Sequence, residues 1–364
     1  MKRIVFVGIL VLGMIMSVSS YAFFVGFGSA GGVEQVIKKG QEEGKIPKVP
    51  DTGETTPAGP VQYTNAETVW QKLWNGGSDD YGFGIAVDSS GNVYVTGYSY
   101  NGTNYDYLTI KYNSNGDTVW QKAWNSGSDD YGQGIAVDSS GNVYVTGYFW
   151  SGANNDFMTI KYNSNGDTVW QKAWNGGSWN EGHGIAVDSS GNVYVTGYSL
   201  NGASWDYLTI KYNSSGETQW QKAWNGGNDD YGRGIAVDFS GNVYVTGYSY
   251  NGASWDYLTI KYNSSGETQW QKAWNGGSDD YVQGIAVNSS GNIYVTGYSW
   301  NGANYDYMTI KYNSTGDTVW QKKYDGGSDD NGRGIAVDSS GNVYVTGYSC
   351  GTNNDYLTIK YRQY

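Results

Sequence analysis

Cysteine and histidine occur once each in the 364 residues, as Cys350 and His183. A lone cysteine excludes an intrachain disulfide and a thiolate metal cluster. A lone histidine leaves any zinc site or Ser-His-Asp machinery resting on that one residue. Proline is confined to Pro47, Pro50, Pro57 and Pro60, so the chain beyond residue 60 lacks the one residue that cannot donate to a strand ladder. Basic residues are few, 22 against 34 acidic ones, for a formal net charge of -12. That balance speaks against nucleic acid, whose binders neutralise phosphates with clustered Lys and Arg. It suits solubility, cation binding or basic partners.

A long apolar run occurs at the start, in MKRIVFVGILVLGMIMSVSSYAFF. Lys2 and Arg3 precede an apolar stretch from Ile4 to Met16, and Ser20-Tyr21-Ala22 supplies a small-x-small cleavage signal. Residues 1–22 read as a secretory signal peptide. An uncleaved anchor is the alternative, because apolar character resumes at Phe23. Either reading places the rest outside the cytoplasm: secreted, periplasmic or on the cell surface. Residues 23–67 hold all the prolines and no apolar periodicity, as a flexible linker does.

From Thr68 the chain repeats every fifty residues. WQK recurs at Trp70, Trp120, Trp170, Trp220, Trp270 and Trp320, and GIAV recurs with the same step from Gly84 to Gly334. A period of this size signals a solenoid or propeller. Each unit holds four runs rich in Val, Ile, Tyr, Thr and Trp, joined by Asp, Ser, Asn and Gly. These are strands and tight turns, and four antiparallel strands repeated radially make a propeller blade. The spacing predicts an all-β, six-bladed propeller over 68–364. Its first element, TVWQKLWN, lacks the three strands before it, and its last unit lacks a fourth, so the N-terminal strand is expected to close the last blade. Eleven of the sixteen tryptophans fall at the two repeated WQKxW positions and are read as packing between blades.

The stretch DYLTIKYNSNGDTVWQKAWNSGSDDYGQGIAVDSSGNVYVTGY, residues 106–148, resembles the bacterial β-propeller repeat family abbreviated SBBP. The resemblance extends over nearly all of 68–364. It implies a propeller of a kind found in secreted or cell-surface bacterial proteins, and no particular activity. The family's name refers to seven blades, whereas this chain counts six.

Topology sorts the loops onto two faces. DSSGN and NSNGD share one face, where Asp followed by Gly marks a type I turn. The other face carries GGSDDYG and SYNGTNYDY, and there the repeats diverge. Candidate ligand contacts are the loop aromatics Tyr100, Tyr105, Trp150, Trp179, Trp205, Tyr250, Trp255, Trp300 and Tyr305. To these are added the residues entering the innermost strand: Phe83, Gln133, His183, Arg233, Gln283 and Arg333. Large aromatics on a surface are costly unless used. The repeated pairs beginning at Asp79, Asp129, Asp229, Asp279 and Asp329 form a ring too symmetric for a catalytic centre. They are read as loop-shaping, one aspartate accepting amides and the other facing water, with calcium as the alternative use. No cofactor is otherwise expected.

The expectation is therefore a monomeric, non-catalytic binding module for a carbohydrate or cell-surface polymer. A surface-protein scaffold is the alternative. An enzyme at the mouth of the central channel, built from Glu181, His183, Arg233 and Arg333, is the third reading.

Overall fold

A computed structural model describes residues 68–351 and 353–363; the expected signal segment and linker lie outside them. The described residues from Leu73 onward belong to one compact unit. Among the described residues, twenty-three strands make six antiparallel sheets in chain order. The first blade comprises Asp80–Val87, Val93–Tyr100, Tyr105–Tyr112 and Thr118–Trp124, each pairing with the next. Four more blades repeat this at fifty-residue steps, and the sixth has three strands, Asp330–Val337, Val343–Cys350 and Asn354–Tyr361. First strands of successive blades contact one another, which places them nearest the axis.

Alternation drives the packing. Tyr94, Tyr107 and Ala86 of the first blade bury against Ile135, Val143, Val145 and Ile160 of the second. Full burial of such side chains stabilises by about 1.5–3 kcal/mol each. The repeated tryptophans lie in these seams as expected. Trp120 packs on Tyr94 and on Tyr162 of the next blade, and its Nε1 donates to the Ser164 carbonyl at 3.1 Å. Lys111 Nζ sits 5.2 Å above the Tyr94 ring and donates to the same carbonyl at 3.2 Å.

The DSSGN face is a set of closed turns. Asp88 accepts amides from Ser90 and Asn92 and the hydroxyl of buried Tyr94. Gly91 completes the turn at φ 77°, where a side chain would be strained. The other face joins blades: the Tyr105 amide donates to Asp129 of the next blade at 3.0 Å, and Asn104 Nδ2 donates to the Ser128 carbonyl.

The fourth strand expected from residues 68–75 is not formed; they carry no strand, and the last sheet ends at Asn354–Tyr361.

The aspartate pairs shape loops, but both members accept amides. The second does so from the residue four before it, Asp130 from Ser126 and Asp230 from Gly226. It is also buried near an aspartate of the preceding blade, Asp106 or Asp206. Burial, with that neighbouring charge adding to it, pushes Asp130, Asp230 and Asp280 up to about 6. A carboxyl raised in the folded state binds its proton more tightly there than in the unfolded chain. Its contribution is full below the unfolded pKa of about 4 and is lost as pH rises through about 6. The third blade carries the neutral counterpart: Asn180 donates to Asp156 at 3.3 Å. The melting temperature is therefore expected to rise as pH falls from 7.5 to 5.5. Asp130→Asn should raise it at pH 7.5 and flatten part of that slope; thermal unfolding followed by circular dichroism at both pH values checks this, and an unchanged slope would contradict it.

Candidate active site at the third and fourth blades

The first strand of every blade contains one β-bulge. In the third blade Gly182 pairs with Gly197 and Gly184 with Thr196, leaving His183 as the extra residue. The same irregularity lies at Phe83, Gln133, Arg233, Gln283 and Arg333. The six innermost residues that vary between repeats are thus all bulge residues. A bulge re-aims its side chain out of the strand's alternation, so the variation leaves the ladder on either side intact. The bulge residue lies against the tyrosine of the TGY triplet: Phe83 stacks on Tyr98 at 5.3 Å, and His183 on Tyr198 at 5.0 Å.

In most seams that tyrosine meets another from the next blade's first strand. Tyr98 lies 4.8 Å from Tyr131, Tyr198 4.7 Å from Tyr231, and Tyr248 5.0 Å from Tyr281. In the third blade the second partner is replaced by Glu181. Its carboxylate takes the Tyr198 hydroxyl, lies 3.7 Å from His183 Nε2, and accepts from Asn155 Nδ2 at 3.2 Å. From the fourth blade Arg233 reaches back. Its Nη1 is 3.5 Å from His183 Nδ1 and 3.4 Å from Nε2. Its guanidinium lies 5.3 Å from the ring centres of both Tyr198 and Tyr248, and Nη2 donates to the Tyr248 hydroxyl at 2.6 Å.

The electrostatics follow from this crowding. Burial pushes His183 down to about 4, and the Arg233 charge adds to that against the pull of Glu181. The imidazole is therefore neutral at neutral pH. Burial works to raise Glu181, but the nearby His183 and the hydroxyl donated by Tyr198 hold it below the usual carboxylate range. A neutral imidazole beside a carboxylate is a general base with an orienting partner, and Arg233 with the Tyr248 hydroxyl supplies donors for developing negative charge.

Of the residues named from sequence for a channel-mouth enzyme, three meet here. Arg333 does not: it is exposed, 5.7 Å from the Tyr298 and Tyr348 rings. Tyr198 and Tyr248 were missed, because the repeated TGY triplet reads as strand; the replacement of Tyr by Glu at 181 was the signal pointing to them. The loop aromatics are largely packed on one another. Trp150 lies 5.4 Å from Trp179, Trp205 lies 5.2 Å from Tyr198, and Trp255 contacts Tyr248 and Tyr250 at 5.4 and 5.2 Å. Tyr100 meets Tyr105, and Trp300 meets Tyr305, at 5.3 and 5.0 Å. Gln133 and Gln283 are half-buried at their bulges.

An acidic cluster of Asp306, Asp325 and Asp330 forms in the fifth seam. It does not fit a calcium ion. Lys323 pairs with Asp306 and lies 3.8 Å from Asp325, supplying the positive charge itself. Both residues depart from the repeat, where Ala and Asn stand in the first four seams.

The β-propeller repeat family matches at residues 70–106, 125–151, 176–202, 225–252, 275–306 and 325–354, and the chain belongs to it. Among the curated proteins compared, none matches. Several solved structures are similar. A gluconolactonase from Xanthomonas campestris is 12% identical, with TM-score 0.44 over 73% of this chain and 83% of its own. A calcium-binding regucalcin from Agrobacterium tumefaciens is 10% identical, with TM-score 0.40 over 73% and 81%. A glucose dehydrogenase is 8% identical, with TM-score 0.47 over 76% and 96%. Likeness at this level says nothing of substrate or cofactor. Two expectations are corrected on the site's own geometry, that the chain is a non-catalytic binding module and that it is not an enzyme; the similar structures include enzymes, which is a fact about those proteins. The physical reason lies in the third blade: the symmetry on which catalysis was excluded is broken at Asn180, Glu181 and His183.

If Lys323 neutralises the acidic cluster, calcium should leave the melting temperature of the wild type unchanged and raise that of Lys323→Ala. Calorimetry with calcium and with chelator checks this; a calcium-induced rise in the wild type would contradict it.

Proposed function

We propose that this member of the β-propeller repeat family is a hydrolase of small carboxylic esters or lactones, with its acid–base centre at Glu181, His183 and Arg233. The observation that carries the reading is the meeting of three side chains at His183, which lies 3.7 Å from Glu181, itself in place of the repeat's Tyr, and within 3.5 Å of Arg233 on the adjacent bulge. Water is the nucleophile. His183 takes its proton while Glu181 orients the ring. The hydroxide adds to the carbonyl carbon, and the oxyanion is held by Arg233 and the Tyr248 hydroxyl. Collapse breaks the carbon–oxygen bond, and the departing alkoxide takes the proton from His183, giving an acid and an alcohol. Tyr198 keeps Glu181 ionised by donating to it. The signal-like N-terminus supports a location outside the cytoplasm.

The test is hydrolysis of nitrophenyl esters and aliphatic lactones by the full chain, followed by colour and pH-stat. His183→Gln should lower kcat by about 10²–10⁴-fold and Arg233→Gln by about 10²–10³-fold, the usual losses for a general base and an oxyanion donor. Arg333→Gln should change little. Because His183 sits at about 4, kcat/KM should climb through that pH and stay level above it. No turnover of any substrate, or variants as active as wild type, would overturn the reading.

A further inference from the structure

The DSSGN turns lie on the face opposite the divergent loops, and they are the same in four blades. The two departures are Phe239, where the other five repeats carry serine, and Asn288, where they carry aspartate. Both fall at the fourth seam. There a half-open cavity of about 240 Å³ is lined by Phe239, Ser240 and Lys261 of the fourth blade and by Ser289, Ser290 and Ser314 of the fifth. Phe239 is 66% exposed, so its ring is a wall of this cavity and not a part of the core.

The exchange at 288 alters the charge of the seam. In the first three seams a lysine lies over a tyrosine whose hydroxyl feels two turn aspartates. Asp88 and Asp138 act on Tyr94, Asp138 and Asp188 on Tyr144, and Asp188 and Asp238 on Tyr194. In the fourth seam Asp238 acts alone on Tyr244, and Asn288 turns its Nδ2 to the Tyr294 hydroxyl at 3.1 Å. Asp238 is engaged on both oxygens: it accepts the amides of Ser240 and Asn242, Asn242 Nδ2 and the Tyr244 hydroxyl. Lys261 donates to the Ser314 carbonyl at 3.2 Å and lies 5.3 Å from the centre of the Tyr244 ring. An ammonium carries three donors, so this one keeps some to offer the cavity.

We infer that the fourth seam holds a binding site for a small organic carboxylate that carries an apolar ring, on the opposite face from the divergent loops. The ring packs on Phe239, and the carboxylate takes a charge-assisted bond from Lys261 and hydroxyls from the serines around it. The first three seams would repel the same anion with their second aspartate and offer it serine in place of a ring. The fifth lacks the ring as well, with Ser289 at the position of Phe239. The site therefore belongs to one seam only, where an apolar wall and the loss of a carboxylate coincide.

The test is titration of the full chain with benzoate, and with benzyl alcohol as its uncharged analogue, followed by saturation-transfer NMR. Benzoate is expected to bind the wild type and benzyl alcohol far more weakly. Phe239→Ser and Asn288→Asp should each weaken benzoate by about tenfold, the first by removing the ring contact and the second by adding a like charge. Each restores the residue that the other repeats carry, so both variants should fold. Arg233→Gln should bind benzoate as the wild type does. Binding lost in Arg233→Gln would assign benzoate to the candidate active site. Binding indifferent to Phe239 and Asn288, equal binding of the alcohol, or no binding at all would show that the cavity takes no such ligand. Each of these results overturns the inference, and none of them bears on turnover at His183.

Discussion

No blade of this protein is finished by its own residues. Each seam is closed by groups reaching to the next sheet, such as Trp120 and Lys111 donating to the Ser164 carbonyl and the Tyr105 amide donating to Asp129. Everything else depends on that requirement. It holds the tryptophan of WQK and the lysine of TIKY at the same positions in every repeat, and the aspartate pair in all but the third. It also makes stability close to a sum of blade and seam terms, as in other repeat proteins. An end blade without a neighbour exposes side chains that the repeat buries elsewhere, as Tyr356 does where Tyr107 is buried.

The same requirement explains where the chain is free to vary. A residue on a bulge contributes no pair to the ladder, so exchanging Phe83 for Gln133, His183 or Arg233 leaves the registers on both sides intact. The third blade departs furthest. Asn180 keeps a seam contact without a charge, Glu181 replaces a tyrosine that elsewhere packs edge-on across the seam, and His183 fills the bulge between two glycines. Symmetry supplies the rigid frame, and local departures from it bring Glu181, His183 and Arg233 together.

The architecture was legible because it is periodic. The fifty-residue step, the turn residues and the unpaired ends specified six sheets and their loop faces without any knowledge of packing. What was hidden depends on distances between units that the sequence leaves unstated. The divergent loop tryptophans looked like exposed platforms, but Trp150 and Trp179 cover one another and Trp205 lies on Tyr198. One aspartate of each pair was expected to face water, but the seam gives each its own amide. The bulge at His183 left no trace beyond its flanking glycines. Comparing blades as equivalents drew attention away from the single blade where Glu and His stand two residues apart.

The lone histidine offers a direct measurement. In the ¹⁵N-labelled protein the two imidazole nitrogens of His183 are the only histidine signals, so its titration can be followed by NMR without assignment. If the third and fourth blades bury it between Glu181 and Arg233, it stays neutral down to about pH 4, and Arg233→Gln shifts its midpoint upward. A midpoint near 6.5, indifferent to Arg233, would mean an imidazole in ordinary solvent, and the cluster on which the proposed chemistry rests would not exist.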